Sequence, residues 1–458
     1  MKLKVDAKLD SGFMPMALVC REMRENTKDN GQDVTLAVER NQGYTYVYKT
    51  RIYKDNTGHD EENCKFIDRI AKTLLWVAGG YKITVAGSKV VGEYVKNTFC
   101  HGGTRDFDAR FMERVYERPF EVVVTDLENA PKEKSSASPV GKHLDGCRIG
   151  FDAGGSDRKV SAVVNGETVY SEEVVWFPKL NSDPNYHYEG ILSAMKTAAS
   201  HMPRVDAIGV SSAGVYIDNK IMVASLFIKV NDDDFEKKVK NMYIDVAREI
   251  GENIPIEVAN DGDVTALAGA MSLEDNGILG IAMGTSEAAG YVDMDGNITG
   301  WLNELAFAPV DYNEDAARDD WSGDYGVGSR YFSQDAVIKL APYANIDLDE
   351  NLSPAEKLKV VQGLMKEGDE GAKAIYETIG AYFGYSLAYY AEFYDIKHVL
   401  IMGRVTSGEG GEILLNKARE VIATEFPELN NKITLNIPDE KARRVGQSVA
   451  AASLPKIR

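Results

Sequence analysis

One turn constrains this chain more than any other segment. Ile149-Gly150-Phe151-Asp152-Ala153-Gly154-Gly155-Ser156-Asp157-Arg158-Lys159 runs from an apolar strand pattern into Asp-x-Gly-Gly-Ser-x-x-Lys. A second apolar run, Val160-Ser161-Ala162-Val163-Val164, follows directly. The pattern predicts a β-hairpin whose glycine turn carries one acid and one base. Glycines lack a Cβ, so a phosphate can approach the backbone N–H groups of such a turn, and Ser156 and Lys159 add donors. Asp152 is suited to hold a hydrated Mg²⁺. A plain Gly-Gly hairpin turn satisfies the same residues.

Three later segments bear on that choice. Glu257-Val258-Ala259-Asn260-Asp261-Gly262-Asp263 ends a strand and opens an Ala-rich helix. A carboxylate at a strand end can face a cleft and take a proton from a hydroxyl, and Asn260 can bind the same hydroxyl set. Asp261 or Asp263 would equally serve as a helix cap. Gly280-Ile281-Ala282-Met283-Gly284-Thr285-Ser286-Glu287-Ala288-Ala289-Gly290 repeats the strand, glycine turn and strand plan. It is either a second phosphate grip or an ordinary hairpin. His398-Val399-Leu400-Ile401-Met402-Gly403-Arg404-Val405 leads a strand into a glycine turn, where a nucleoside can lie against bare backbone. A normal strand-to-helix connection has the same look.

In this order the four segments resemble the actin/hexokinase/Hsp70 ATPase superfamily: phosphate hairpin, catalytic Asp, second phosphate hairpin, adenosine turn. Within it the chain is most similar to the ROK family (repressors, open reading frames and kinases). That family carries Asp-x-Gly-Gly-Thr-x-x, Asn-Asp before an Ala-rich helix, Gly-Thr-Gly-x-Gly-Gly and Glu-Leu-Gly-His. Asn303-Glu304-Leu305-Ala306-Phe307 stands at the last place. The similarity spans roughly residues 147–458.

The resemblance implies an α/β, two-lobed actin-like ATPase (ribonuclease H-like) fold with an additional N-terminal α+β region. It also implies ATP-dependent phosphoryl transfer to a hydroxyl of a sugar or related small molecule. Asp261 would be the general base, with Asn260 and Glu304 binding the acceptor. Gly154, Gly155, Ser156, Lys159, Gly284 and Thr285 would hold phosphates, Gly403 the nucleoside, and Asp152 the Mg²⁺. The departures fall on the acceptor side. The family's sugar- and zinc-binding His is Phe307, its zinc cysteines are missing so that no structural zinc is expected, and Ser329 replaces another sugar-binding Glu. Glu287 lies beside the second phosphate turn, where its charge would repel phosphate unless a cation intervenes. The usual Pro-Gly of the first lobe reads Ser212-Ala213-Gly214. These changes keep two rivals open: a ligand-binding or regulatory protein without catalysis, and an ATPase with a non-sugar substrate.

The charge balance narrows the partners. Of 458 residues, 71 are acidic and 52 basic, a formal charge of −19, which disfavours nucleic acid and anionic membranes. No secretory signal or 18-residue apolar run is present, and four scattered cysteines suggest reduced thiols. A cytoplasmic protein with a small-molecule substrate is expected; a homodimer is compatible with this.

Along the chain, residues 1–126 read as an α+β region of unknown role and 127–145 as a Pro-, Ser- and Lys-rich linker. Residues 146–274 would form the first lobe and 275–458 the second. Further expectations are an amphipathic helix over Asp234–Ile250, a strand over Ile298–Trp301 and a solvated acidic loop over Asp311–Asp324. Gly102–Asp108 reads as an Asp-capped turn, with anion contact as its alternative.

Overall fold

The computed structural model describes residues 2–135, 140–438 and 440–457. Residues 136–139 of the 127–145 stretch therefore lie outside the described residues. Within that stretch Leu127–Asn129 forms a 3₁₀ turn and Lys134 bridges Thr45. The chain forms two compact units, and residues 1–136 do not stand apart: they cluster with 281–289 and 300–437.

In this first unit, a four-stranded sheet has the order Thr45–Tyr53, Gly31–Glu39, Lys82–Ala86, Glu121–Thr125. Gly31–Glu39 is antiparallel to both its neighbours, while Lys82–Ala86 and Glu121–Thr125 run parallel. Helix Asp60–Ala78 is apolar along most of its length, and Phe66, Ile67, Ile70, Leu74, Leu75 and Trp76 are all buried. Helix Glu370–Tyr390 is equally buried and packs along Glu409–Glu425. A further sheet has the order Glu287–Val292, Ile278–Met283, His398–Met402, Thr434–Asn436, and residues 281–289 of its hairpin belong to this unit.

The second unit comprises residues 137–280, 290–299 and 438–458. Its five-stranded sheet runs Ile256–Asn260, Ala207–Ser212, Cys147–Ala153, Asp157–Val164, Glu167–Val175. The first three strands are parallel and the last two extend them as an antiparallel meander. Parallel strands must be covered on both faces, which explains the continuous apolar run through Cys147–Ala153, buried at every position. Helices Pro184–Ser200 and Met242–Ile250 cover the sheet with Ile191, Met195, Tyr243 and Val246. Helix Glu440–Ala452 packs on Cys147–Ala153, Asp157–Val164 and Ala207–Ser212.

Three sequence expectations change. The helix over Asp234–Ile250 is broken into a π-helical turn, Phe235–Val239, and a helix, Met242–Ile250. The Lys240 carbonyl accepts from Ile221 N at 2.9 Å, so a neighbouring strand takes an oxygen that a continuous helix would use. Ile298–Trp301 is not a strand: Ile298 makes an isolated bridge to Val292, and Gly300 at φ 65° turns the chain. Nor is Asp311–Asp324 a solvated loop throughout. Glu314, Asp315 and Asp320 are exposed, but Asp311, Asp319 and Asp324 are buried. Asp311 accepts from the Tyr331 hydroxyl at 2.7 Å and from Met14 N at 3.0 Å. Asp324 meets Arg69 at 2.7 Å, Arg105 at 2.7 Å and Lys72 at 3.2 Å, and these cations hold its carboxyl well below the usual range. The same network explains Gly102–Asp108 as a structural turn. Arg105 pairs with Asp68 as well as Asp324, and Asp106 accepts from Gly102 N at 2.7 Å.

Candidate functional site

In the second unit the acidic residues are placed by strand ends. Asp152 closes the strand Cys147–Ala153, in register with Ser211 on one side and Lys159 on the other. Asn260 ends the next parallel strand but one, and Asp261 opens helix Asp261–Leu273. Ligand sites in parallel sheets gather at such carboxyl ends. Asp152 is 7% exposed and accepts from the Ser211 hydroxyl at 2.9 Å. Burial, and next the charge of Asp261, push its carboxyl up to about 6. Asp261 is also raised, by burial, against opposing bonds from Gly262 N and its own N–H and the favourable charge of Lys179.

The residues around this pair sort by what already holds them. Asn260 is the helix cap: its Oδ1 accepts from Gly262 N at 2.7 Å and its Nδ2 donates to the Gly214 carbonyl at 2.8 Å. Asp263 is buried and accepts from Tyr291 N at 3.0 Å. Asp261 is thereby released from the capping role its neighbours fill. At the first hairpin Gly154 is half-buried while Gly155 and Ser156 are exposed. Trp176 braces this turn from below, its indole N–H donating to the Gly154 carbonyl at 2.7 Å. The Lys159 ammonium lies 3.5 Å from Asp157.

Lys179 escaped the sequence reading. It sits in the 3₁₀ turn Pro178–Leu180, and its ammonium lies 3.3 Å from the point a Cβ on Gly155 would occupy. It thus stands over the glycine turn while its charge favours ionised Asp261. No fixed spacing from either motif marks it. Two carboxyls and two lysines at one sheet end suit a divalent cation and a polyphosphate: a cation beside Asp152 would relieve the elevation that burial and the charge of Asp261 impose on it.

In the first unit the structure brings Gly284, Thr285 and Gly403 together. Gly284 is half-buried, and Thr285 and Ser286 are exposed at the tip of the second hairpin. Gly403 has φ 105°, and a Cβ there would overlap the Met283 carbonyl, while Val405 N donates to that same oxygen at 3.1 Å. Glycine is required here by the packing of one strand end on the other.

Glu304 lies in a segment captured by the N-terminal region. The N–H groups of Leu302, Asn303 and Glu304 donate to the carbonyls of Ala78, Val77 and Trp76 at 3.3, 3.0 and 2.9 Å. Those carbonyls end helix Asp60–Ala78 and would otherwise lack partners. Phe307 packs on Trp76 with centroids 4.4 Å apart, and Phe107 lies 5.6 Å from Phe307. The aromatic residue therefore completes a cluster supplied by residues 1–126. Ser329 donates to Asp319 at 3.1 Å. Glu287, expected beside phosphate, is instead 4% exposed and turned against Gly328. Burial, then the charge of Glu304, push its carboxyl well above the usual range. Among the described residues no group of three or more His, Cys, Asp or Glu side chains is placed to hold a metal ion.

Comparison with known proteins locates the architecture. No family model and no curated protein matches the chain. Among solved structures, the ROK hexokinase from Thermus thermophilus superposes with a TM-score of 0.50 at 18% identity, covering 67% of this chain and 97% of that one. A ROK family transcriptional regulator, a homologue of the E. coli MLC protein, gives 0.51 at 17% identity over 68% of this chain and 79% of its own. The fold is ROK-like. It is the actin-like ATPase architecture; Asp152 lies near the end of one strand of its five-stranded sheet, and Asp261 opens the helix that follows another.

Proposed function

We propose that this ROK-like protein transfers the γ-phosphoryl group of ATP to a hydroxyl of a sugar or related small molecule. The observation that carries this reading is the Asp152–Asp261 pair at the carboxyl ends of the parallel strands, with Lys159 and Lys179 beside it. In this reading the acceptor hydroxyl attacks the γ-phosphorus, its proton passes to Asp261, and ADP leaves. A raised carboxyl suits a base working near neutral pH. Asp152 would hold Mg²⁺, which when bound neutralises charge on the phosphates. Gly154, Gly155, Ser156, Lys159 and Lys179 would receive phosphate oxygens, as would Gly284 and Thr285. Asn260, committed to Gly262 and Gly214, would fix the backbone that presents Asp261.

The test is transfer of labelled phosphate from Mg-ATP to a broad panel of monosaccharides, amino sugars and polyols. Product with at least one acceptor, abolished in Asp261→Asn, is expected. Absence of turnover across the panel would overturn the reading.

A second reading is favoured by Phe307, which fills an acceptor-side position with an aromatic cluster. A non-catalytic, ligand-sensing protein would keep the fold and lose the transfer. Thermal stabilisation by Mg-ATP without turnover would select it.

A further inference from the structure

The strand Thr45–Tyr53 forms one edge of the four-stranded sheet, with Gly31–Glu39 on its inner side. Along an antiparallel strand, alternate residues turn both N–H and C=O to the same side. The outward set is identified by its two ends. Thr45 exchanges backbone hydrogen bonds with Lys134 at 2.9 and 3.0 Å, and Tyr53 N and O meet the Asn63 side chain at 3.0 and 2.8 Å. Val47, Lys49 and Arg51 therefore face outward too, and among the described residues nothing pairs with their N–H and C=O groups. Three residues with open backbone groups thus lie between two closed ends. They line a groove rather than a bare edge. The Lys134–Thr45 bridge stands alone, and residues 127–133 leave the strand to form the opposite wall. The groove encloses about 1310 Å³, beyond the range of about 300–1,000 Å³ that suits small molecules.

Side chains decide what fits there. Lys49 and Arg51 are the only charged residues of Thr45–Tyr53, which holds no acid although the whole chain carries −19. Arg51 pairs with Asp33 at 2.6 Å, whereas Lys49 is exposed and stands in register with Thr35. Residues directly opposite on neighbouring strands interact, and like charges there are destabilising. A second copy of this edge, laid antiparallel with all three open residues paired, sets Lys49 against Lys49. Such an edge resists its own copy and accepts a strand that brings acids.

We propose that this groove binds an extended acidic peptide segment of a partner protein. The segment adds to the sheet antiparallel to Thr45–Tyr53, with acids opposite Lys49 and Arg51 and an apolar residue opposite Val47. Main-chain hydrogen bonds supply the affinity and the cross-strand pairs the selectivity. Occupancy of the groove requires neither nucleotide nor turnover.

Fluorescence anisotropy of a labelled, end-blocked Glu-Thr-Glu-Thr-Val peptide titrated with the full chain tests the site. Saturable binding is expected. It should weaken by roughly tenfold or more for Lys-Thr-Lys-Thr-Val, and likewise for the acidic peptide N-methylated at its central Glu, which loses a hydrogen bond to the edge. Lys49→Glu should reverse the preference between the two charge types. Lys49→Pro should abolish binding, because it removes an outward N–H while the bonds to Gly31–Glu39 are made by Tyr46, Tyr48 and Thr50. If the proline variant does not fold, Lys49→Glu and the methylated peptide decide. No binding by wild type, equal binding of the methylated peptide, or an unchanged preference in Lys49→Glu overturns the proposal. So does a dimer of the free chain, seen by sedimentation velocity, that Lys49→Glu alters, since the groove would then belong to a second copy.

Discussion

The two glycine hairpins share a plan and differ in the strand that leaves the turn. After Gly154-Gly155-Ser156 come Asp157, Arg158 and Lys159, all half-buried, with Lys179 standing over the turn. After Gly284-Thr285-Ser286 comes Glu287, buried and unpartnered. The first hairpin surrounds its turn with cations and therefore suits an anion. The second offers small polar groups at its exposed tip and an acid beneath it. Similar motifs thus carry opposite electrostatics, and phosphate binding read from the glycine pattern alone belongs more firmly to the first than to the second.

The largest effect that would sharpen this contrast is on turnover. Replacing Asp261 by Asn keeps shape but removes the proposed base, so in the proposed reading kcat should fall about 10²–10⁴-fold. Mg-ATP should still shift the melting temperature, because in the proposed reading the phosphates contact the hairpin and its lysines. Loss of nucleotide binding in that variant would break the assignment of base and phosphate contacts to separate residues.

Next in size is a stability effect on the side of the second hairpin. Trp76 is fully buried, donates to Asp108 at 2.6 Å and packs on Phe307. Trp76→Ala should cost about 3–5 kcal/mol, read from denaturant unfolding. If the losses from Trp76→Ala and Phe307→Ala simply add in a double-mutant cycle, the two rings are not coupled and the proposed remodelling of the acceptor side fails.

Asp152 supplies a pH-dependent test. Burial, and next the charge of Asp261, push its carboxyl up to about 6 in the folded protein, above the ordinary value of about 3.8. The native state therefore binds its proton more tightly than the unfolded chain does. Stability from this group falls as pH rises from about 4 to about 6 and is level above, a change on the order of 3 kcal/mol. Asp152→Asn, which retains an acceptor for Ser211, should flatten that slope and melt higher at pH 7. Mg²⁺ should stabilise wild type at pH 7 and not the variant. An unchanged slope would show that Asp261, coupled to Asp152, carries the proton instead.

The architecture was legible because its signals are local. Apolar runs ended by glycine turns marked Cys147–Ala153, Ile278–Met283 and His398–Met402, and the Ala-rich helix after Asp261 marked itself. What stayed hidden depends on pairing across long separations. The acidic run at 311–324 looked solvated because Arg69, Lys72 and Arg105, which neutralise Asp324, lie about 220–255 positions away in the chain. Glu287 reads as an acid close enough to the second turn to repel phosphate, because alternation along a strand sets its side but not what covers it. Phe307 read as a lost ligand until Trp76 gave it a packing reason.

Lys179 is the remaining case, and its expected effect is the smallest. The residue is exposed, so screening limits its contribution, and it meets Gly155 only because a 3₁₀ turn after Glu167–Val175 folds back over the first hairpin. Lys179→Ala should weaken Mg-ATP binding by about 1 kcal/mol, roughly fivefold, with the difference shrinking at high salt. Lys159 provides the internal control, since its ammonium is less exposed and already faces Asp157. Lys159→Ala should have the larger and less salt-sensitive effect. If both lysines can be removed without changing nucleotide affinity, the cationic character of the first hairpin is structural, and the electrostatic contrast between the two hairpins loses its functional meaning.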